Sequence, residues 1–190
     1  MHADSWALKA KKLGLRSRAV FKLEEILIKT KTLQKNSLVL DIGAAPGGWS
    51  KLIKTMAPSS SVFAIDLLPM DPIKGVIFFQ KDILNIDEIE EISILKSKFD
   101  LVISDLAPNL TGIKAVDEEN IFNLNVFTLR IALNYLRKSN GSFLIKTFQN
   151  SLLKKLRTEM EKSFHLVQTY KPAASKSKSA EIYLYGEKPL

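Results

Sequence analysis

The sequence predicts a doubly wound α/β sheet within a single domain of 190 residues. From residue 37 onward, short apolar segments rich in Val, Ile and Phe alternate with longer amphipathic ones. Short segments of this composition are typical of strands, and apolar residues repeated every three or four positions are typical of helices. Their alternation predicts a mostly parallel sheet with helices on both faces.

Each element follows from its own segment. The predicted strands cover residues 37–42, 61–66, 76–80, 99–104, 142–146, 166–170 and 181–185. The predicted helices cover residues 49–57, 86–96, 118–137 and 152–163. Across residues 171–180 the last two strands follow one another with no helix between them, which predicts an antiparallel pair at one edge of the sheet. Residues 1–36 form a basic helical prefix to the sheet of residues 37–190.

The composition narrows the function classes. There are 28 Lys and Arg against 20 Asp and Glu, and the net charge of +8 favours a polyanionic partner, nucleic acid before membrane. The chain has no cysteine and two histidines that lie far apart, which argues against a metal site, a thiol nucleophile and a Ser-His-Asp triad. No apolar segment approaches the roughly 20 residues of a membrane span, and the first ten residues lack the apolar core of a secretory signal. We therefore expect a cytoplasmic monomer.

A glycine-rich turn, DIGAAPGGWS, follows the first predicted strand at residues 41–50. A strand, such a turn and a helix form a ligand crevice at the carboxyl edge of a parallel sheet. Its spacing matches neither the dinucleotide fingerprint nor a P-loop. Asp41 and Gly43 are candidate binding residues because an acidic residue under the turn suits a cationic ligand. A tight turn whose small residues serve packing alone is the alternative.

Two further carboxylates follow neighbouring strands. Asp66 ends the second strand, where a doubly wound fold places an acid for ribose hydroxyls. Asp82 follows the third strand, where it could accept from an adenine amino group. Either residue alone could equally be a solvated turn aspartate. Ribose, adenine and a cation together point to S-adenosylmethionine.

A lysine and an aspartate end two other strands. Lys146 closes an unusually apolar strand, and Asp105 follows the strand predicted to lie beside it. Both would face the crevice, where the carboxylate could orient the ammonium. A lysine that extends to solvent and an aspartate that caps the turn before Pro108 are the alternatives.

These motifs resemble the RrmJ/FtsJ family of ribosomal RNA 2′-O-methyltransferases. The resemblance runs from about residue 4 to residue 186. It is carried by RSRAxxKL at 16–23, DxGAAPGGWS at 41–50, DLLPM at 66–70, SDxAPN at 104–109, Gly112 and AVD at 115–117.

The resemblance implies a Rossmann-like methyltransferase fold with an antiparallel last strand. It also implies methyl transfer from S-adenosylmethionine to a uridine ribose in the A loop of large-subunit ribosomal RNA, in the assembled particle. The family's Lys-Asp-Lys-Glu tetrad falls on four residues of this chain, namely Lys22, Asp105, Lys146 and Glu181. The cofactor contacts that it implies are Gly47, Trp49, Asp66, Asp82 and Asp105.

Within the tetrad we expect Lys146 to act as general base and Asp105 to orient it. Lys22 would steady the developing oxyanion or a phosphate, and Glu181 would position Lys22 or the ribose. Glu181 could alternatively be a charge that protects an edge strand. Two basic clusters, one in the prefix and one at 171–179, are expected to bind RNA through Arg16, Arg18, Lys176 and Lys178. Two solvated basic segments are the alternative.

Three rival enzyme classes fit less well. An NAD-linked oxidoreductase requires the fingerprint that is absent here. An amino-group methyltransferase typically carries a Pro-Pro-aromatic segment after the fourth strand, whereas this chain has Asp105-Leu106-Ala107-Pro108 there. A small-molecule O-methyltransferase does not explain the net charge of +8. A catalytically silent RNA-binding ribosome assembly factor stays open as the alternative function.

Overall fold

The computed structural model describes residues 5–175 and 179–190 of the chain. Two helices come first, α1 (Ser5–Lys12) and α2 (Ala19–Thr30). The remaining elements are β1 (Leu38–Ile42), α3 (Gly48–Met56), β2 (Ser61–Asp66), β3 (Val76–Gln80), a 3₁₀ helix (Ile83–Glu88), α4 (Glu90–Ser93), β4 (Leu101–Ser104), α5 (Lys114–Tyr135), β5 (Ser142–Phe148), α6 (Leu153–Glu161), β6 (Phe164–Tyr170) and β7 (Glu181–Pro189). Each of the predicted strands is confirmed.

Within the described residues the strands form one seven-stranded sheet in the order β3-β2-β1-β4-β5-β7-β6. The pairs from β3 to β5 are parallel, whereas β7 runs antiparallel to both β5 and β6. The short connection after β6 reverses the chain, so β7 returns between β5 and β6. The predicted antiparallel last strand is confirmed.

Helices cover both faces of the sheet. On one face, α2 and α3 pack through residues such as Leu23 and Ile53 against Val39 of β1. On the other face, α5 and α6 pack through residues such as Leu129 and Leu156. Side chains alternate between the faces along each strand, so β1 contributes Val39 to the first face and Leu40 to the second.

The basic prefix is more than a surface appendage. Its second helix, α2, buries Lys22, Leu23, Ile26 and Leu27. This helix is therefore part of the packed layer on the sheet, and it places one member of the predicted tetrad over the sheet. The preceding helix, α1, lies farther out, with Ala10 buried against Phe21.

The prediction of one helix over residues 86–96 is wrong. The structure has a 3₁₀ helix and the four-residue helix α4 instead, separated at Ile89, whose backbone is extended. The extended backbone at Ile89 interrupts the helical stretch, so the buried residues Ile86, Ile89 and Ile92 lie in three successive segments and not along one α-helix.

The long helix α5 begins four residues earlier than predicted and ends at Tyr135 rather than at 137. The Asp117 carboxylate accepts from the amides of Thr111 and Gly112, at 2.7 and 3.0 Å. These bonds satisfy the loop amides just before the helix, which lets the helix start early.

In the part of the chain that the structure describes, no helix combines the length and apolar character needed to cross a membrane.

Candidate active site

The polar residues predicted for the site meet at the carboxyl edge of the parallel strands. Asp66 ends β2, Asp105 directly follows β4, and Lys146 lies near the end of β5. Because parallel strands present their carboxyl ends at the same edge, these side chains come together although they are far apart in sequence.

The register of β5 against β7 determines which face the tetrad occupies. Lys146 pairs with Tyr183, and Phe148 pairs with Glu181. Because side chains alternate along a strand, Glu181 and Tyr183 point to the same face as Lys146. Helix α2 covers this face and contributes Lys22 from above.

Two ion pairs organise the four residues. The Lys146 Nζ lies 3.0 Å from Asp105 Oδ1 and donates to the Asp105 carbonyl oxygen at 2.5 Å. The Lys22 Nζ forms an ion pair with Glu181 Oε1. The lysine side chains are 10% and 6% exposed, so each ammonium needs the carboxylate beside it to compensate for lost hydration.

The charges of the tetrad act on one another. Burial raises the pKa of Asp105, and the neighbouring Lys146 ammonium opposes that rise. The charges of Glu181 and Lys22 also reach Asp105, in opposite directions. The four residues predicted from the family resemblance therefore form one electrostatic cluster.

Tyr183 is a member of this cluster that the sequence analysis missed. It is fully buried, its hydroxyl donates to Glu181 Oε1 at 3.0 Å, and burial together with the charges of Asp105 and Glu181 raises its pKa. The signal that could have found it is its position two residues after Glu181 on the same strand, which places both on one face.

A crevice of about 600 Å³ opens beside the tetrad. Its lining includes Gly43 of the turn and the two acids that were predicted to bind a nucleoside, Asp66 and Asp82. Leu106, which immediately follows Asp105, also lines it, so crevice and tetrad meet at the end of β4. A volume of this size is typical of a small-molecule site.

Asp66 and Asp82 also stabilise their own turns. Asp66 accepts from the amides of Ala45 and Leu68, each at 2.8 Å, and Asp82 accepts from the amide of Leu84 at 2.9 Å. Each carboxylate oxygen has two acceptor positions, so these bonds leave capacity for a ligand hydroxyl or amino group.

The structure places Asp41 beneath the turn rather than in the open crevice. Its side chain is fully buried, and its Oδ2 accepts from the Ser50 hydroxyl at 2.6 Å. Among the described residues its Oδ1 has no hydrogen-bond partner. Burial raises the pKa of Asp41 to about 7.

The Trp49 side chain lies between α3 and α2. Its indole N–H donates to the Ala19 carbonyl at 3.0 Å, and its ring packs against Tyr183. The side chain joins α3 to α2 and does not line the crevice. Gly47 also lies outside the crevice lining, under Met70 and Ile73.

The predicted RNA-binding residues divide into three cases. Arg16 donates to backbone carbonyl oxygens, including that of Pro46 at 2.9 Å. Arg18 lies close enough to Tyr183 for its positive charge to act on the pKa of that phenol. Lys176 and Lys178 lie outside the described residues.

The two basic segments do meet in space. The amide of Ala173, in the connection before β7, donates to Glu25 of α2 at 2.8 Å. Ala174 is buried with Ala10 and Phe21 of the prefix. Residues 173 and 174 are therefore docked on the prefix, on the side of the molecule that carries Lys22.

Among the described residues, β7 runs antiparallel between β5 and β6, and a glycine turn follows β1. Both features agree with the fold that the family resemblance implies. The chain belongs to the FtsJ-like methyltransferase family, whose model matches residues 15–188.

Relatives and solved structures agree with this assignment. The chain is 39% identical to the ribosomal RNA large subunit methyltransferase E of Methanothrix thermoacetophila, over 98% of this chain and 73% of that protein. It is 40% identical to the protein of the same name from Ehrlichia chaffeensis, over 96% and 87%. A Plasmodium falciparum structure described as a ribosomal RNA methyltransferase superposes with a TM-score of 0.82 at 33% identity, over 92% of this chain and 98% of that chain. Human methyltransferase-like protein 13, solved with SAH, shares the fold with a TM-score of 0.64 at 12% identity, over 87% of this chain and 81% of that chain.

Proposed function

We propose that this enzyme transfers a methyl group from S-adenosylmethionine to a ribose 2′-hydroxyl of large-subunit ribosomal RNA. The observation that carries the proposal is the Lys146–Asp105 pair beside the crevice, with the Lys22–Glu181 pair on the same face of the sheet. The RNA substrate is inferred from the names of the relatives, and the net charge of +8 supports it. We further propose a uridine of the A loop in the assembled subunit as the target.

The residues around the crevice suit S-adenosylmethionine. Asp66 and Asp82 would bind the ribose hydroxyls and the adenine amino group through their remaining acceptor positions. A Cβ on Gly43 would lie 2.6 Å from the Leu106 side chain, so glycine at this position allows the turn to approach the end of β4 closely. Asp41 would support the turn from below, and Gly47 would contribute backbone to it.

When bound, S-adenosylmethionine supplies a methyl group activated by a sulfonium. The 2′-oxygen would attack this carbon in line with the carbon–sulfur bond, which breaks and leaves S-adenosylhomocysteine. Lys146, as its amine, would accept the hydroxyl proton. Asp105 would orient that amine and stabilise the ammonium that forms.

Lys22 and Glu181 would act on the nucleophile's side. The Lys22 ammonium would stabilise negative charge that develops on the 2′-oxygen. Glu181 would hold Lys22 in place, and the Tyr183 hydroxyl, which donates to the same carboxylate oxygen, would hold Glu181.

We also propose that the protein acts as a monomer in the cytoplasm, where its ribosomal substrate would be assembled.

A labelling experiment tests the proposal. Purified protein is incubated with S-adenosylmethionine carrying a tritiated methyl group and with large ribosomal subunits, small subunits or free large-subunit RNA. We expect label in the large-subunit RNA of the assembled particle, at a nucleotide whose 3′ bond becomes resistant to alkaline cleavage. Tight binding to the subunit without label in its RNA would instead favour the silent assembly factor.

A further inference from the structure

Arg16 lies in the loop between α1 and α2 and joins three segments of the chain. Its Nη1 donates to the carbonyl oxygens of Pro46 at 2.9 Å and Asp71 at 3.0 Å. Its Nη2 lies 3.4 Å from the carbonyl oxygen of Pro72. One side chain of the prefix therefore bonds both to the glycine turn and to the loop that follows β2.

The packing around Gly47 shows how closely these segments fit. Gly47 has a φ of 92°, and a Cβ built on it would lie 2.6 Å from Met70 Sδ, 2.7 Å from Ile73 Cδ1 and 2.9 Å from Arg16 Nη1. The loop after β2 and the Arg16 guanidinium thus close over the outer side of the turn. Glycine is required there by both its backbone angle and the lack of space.

The guanidinium suits this position because of its shape. It is planar, always charged and carries five N–H donors in a fixed fork, so it can bind several carbonyl oxygens at once. A lysine ammonium has three donors but is a compact charge at the end of a flexible stem, so it would fix the relative positions of these carbonyls less firmly than the planar fork does.

We propose that Arg16 is a positioning residue of the cofactor site: it holds the turn at 44–48 and the loop at 67–73 in the arrangement that binds S-adenosylmethionine. The inference rests on the proposed function, in which this turn and Asp66 contact the cofactor. It departs from the sequence-based expectation that Arg16 binds RNA phosphate, because its donors face carbonyl oxygens of the protein.

The position of Arg16 also links this site to the tetrad. Helix α2 begins three residues after Arg16 and carries Lys22. At the same end of α2, the Ala19 carbonyl accepts from Trp49 of α3. Arg16 and Trp49 therefore hold the start of α2 against the glycine turn and against the first turn of α3.

The test compares Arg16→Ala and Arg16→Lys with Arg130→Ala, a matched control on the exposed surface of α5. Three quantities are measured: the dissociation constant of S-adenosylmethionine by calorimetry, hydrogen–deuterium exchange of the ligand-free protein, and the salt dependence of binding to large ribosomal subunits.

We expect Arg16→Ala to weaken S-adenosylmethionine binding about tenfold, the effect of losing roughly one charged hydrogen bond. Amides in both 44–48 and 67–73 should exchange faster, and KM should rise for S-adenosylmethionine but not for RNA. Arg16→Lys should recover part of the affinity, and Arg130→Ala should match the wild type. The salt slope of RNA binding should not change.

Wild-type cofactor affinity and exchange in Arg16→Ala would overturn the inference. So would a salt slope reduced by the equivalent of one phosphate, because the guanidinium would then face RNA. If Arg16→Ala does not fold, the same measurements on Arg16→Lys test the inference. Full S-adenosylmethionine affinity in Arg16→Lys would mean that the guanidinium fork is not needed. Absence of ribosomal RNA methylation by the wild type would refute the proposed function alone. Hydrogen–deuterium exchange requires neither cofactor nor RNA, so it would still test the role of Arg16 in that case.

Discussion

Lys22 and Glu181 are 159 positions apart in the chain and form an ion pair at the edge of the sheet. The pair connects a helix of the prefix to the strand that reverses direction between β5 and β6. Under the proposed function, methyl transfer would therefore depend on the correct docking of α2 on the sheet, because this helix carries Lys22.

Lys146→Ala should abolish methyl transfer and largely preserve S-adenosylmethionine binding, because the base would be lost while the crevice stays intact. Lys146→Arg should also be inactive, since a guanidinium does not release its proton in this pH range. Single-turnover rates and calorimetry measure the two effects, with the exposed Lys154→Ala as control. A Lys146→Ala rate above a tenth of the wild-type rate would refute the assignment of the base.

Asp66→Ala should weaken S-adenosylmethionine binding by roughly 1.5–3 kcal/mol, the cost of losing charge-assisted hydrogen bonds. The Ala45 amide also loses its acceptor, which disturbs the turn in the same direction. Calorimetry measures the change, and Glu91→Ala on the exposed surface of α4 serves as control. An unchanged dissociation constant would mean that Asp66 serves its own turn alone.

Tyr183→Phe removes the hydroxyl that donates to Glu181 and keeps the ring that packs against Trp49. We expect a loss of about 1.5–3 kcal/mol in unfolding free energy, as for a buried hydrogen bond to a charged group. The single-turnover rate should also fall several-fold.

Tyr185→Phe is the matched control for this change. Its hydroxyl shares a hydrogen bond of 3.0 Å with Ser142, at the opposite end of β5 from Lys146. It should cost about 0.5–1.5 kcal/mol of stability, as for a hydrogen bond between neutral groups, and leave the rate unchanged. Equal rates for the two variants would argue against a role for Tyr183 in the active site.

Asp41 should make the folded state less stable as the pH rises from about 4 to about 7. Burial raises its pKa from 3.8 to about 7, so in this window the folded protein retains a proton that the unfolded chain has released. Proton binding to the folded state alone makes the unfolding free energy fall with rising pH, by at most about 1.4 kcal/mol per pH unit for one group.

Asp41→Asn cannot titrate, so its unfolding free energy should rise relative to the wild type across that window. Denaturant unfolding at several pH values measures the difference, and the exposed Asp71→Asn controls for the loss of one carboxylate. Parallel stability curves for Asp41→Asn and the wild type would show that Asp41 ionises as it does in water.

Neutralising Arg18 and Lys176 together should weaken binding to large ribosomal subunits and leave S-adenosylmethionine affinity intact. For every phosphate that the variant no longer binds, the slope of log affinity against log salt should become shallower by roughly 0.7–0.9. Filter binding at several salt concentrations measures the slope, with Arg130→Ala as control. A wild-type slope in the double variant would place the RNA on another surface.

Most secondary structure followed from local sequence. The strands were predictable because each is a short segment rich in Val, Ile and aromatic residues. The inner strands β1, β2 and β4 are in addition almost wholly buried, whereas the outer strands β3 and β6 are only partly buried. The error at 86–96 arose because apolar spacings of three and four look alike in a short segment. Asp82 caps a 3₁₀ helix that contains Ile86, and the extended backbone of Ile89 separates it from α4, which contains Ile92.

By itself the sequence determined the sheet, the glycine turn and the candidates at the strand ends, because each depends on residues that are adjacent in the chain. Lys146 and Asp105 were identified in this way. Only the tertiary structure decided the partners of side chains that reach across the fold. Arg16 binds a carbonyl 30 residues away, Trp49 turns toward Ala19, and Tyr183 joins Glu181 beside Lys22. These contacts depend on how α2 packs against α3 and the sheet, and that packing depends on the shapes of many buried side chains at once rather than on any local pattern.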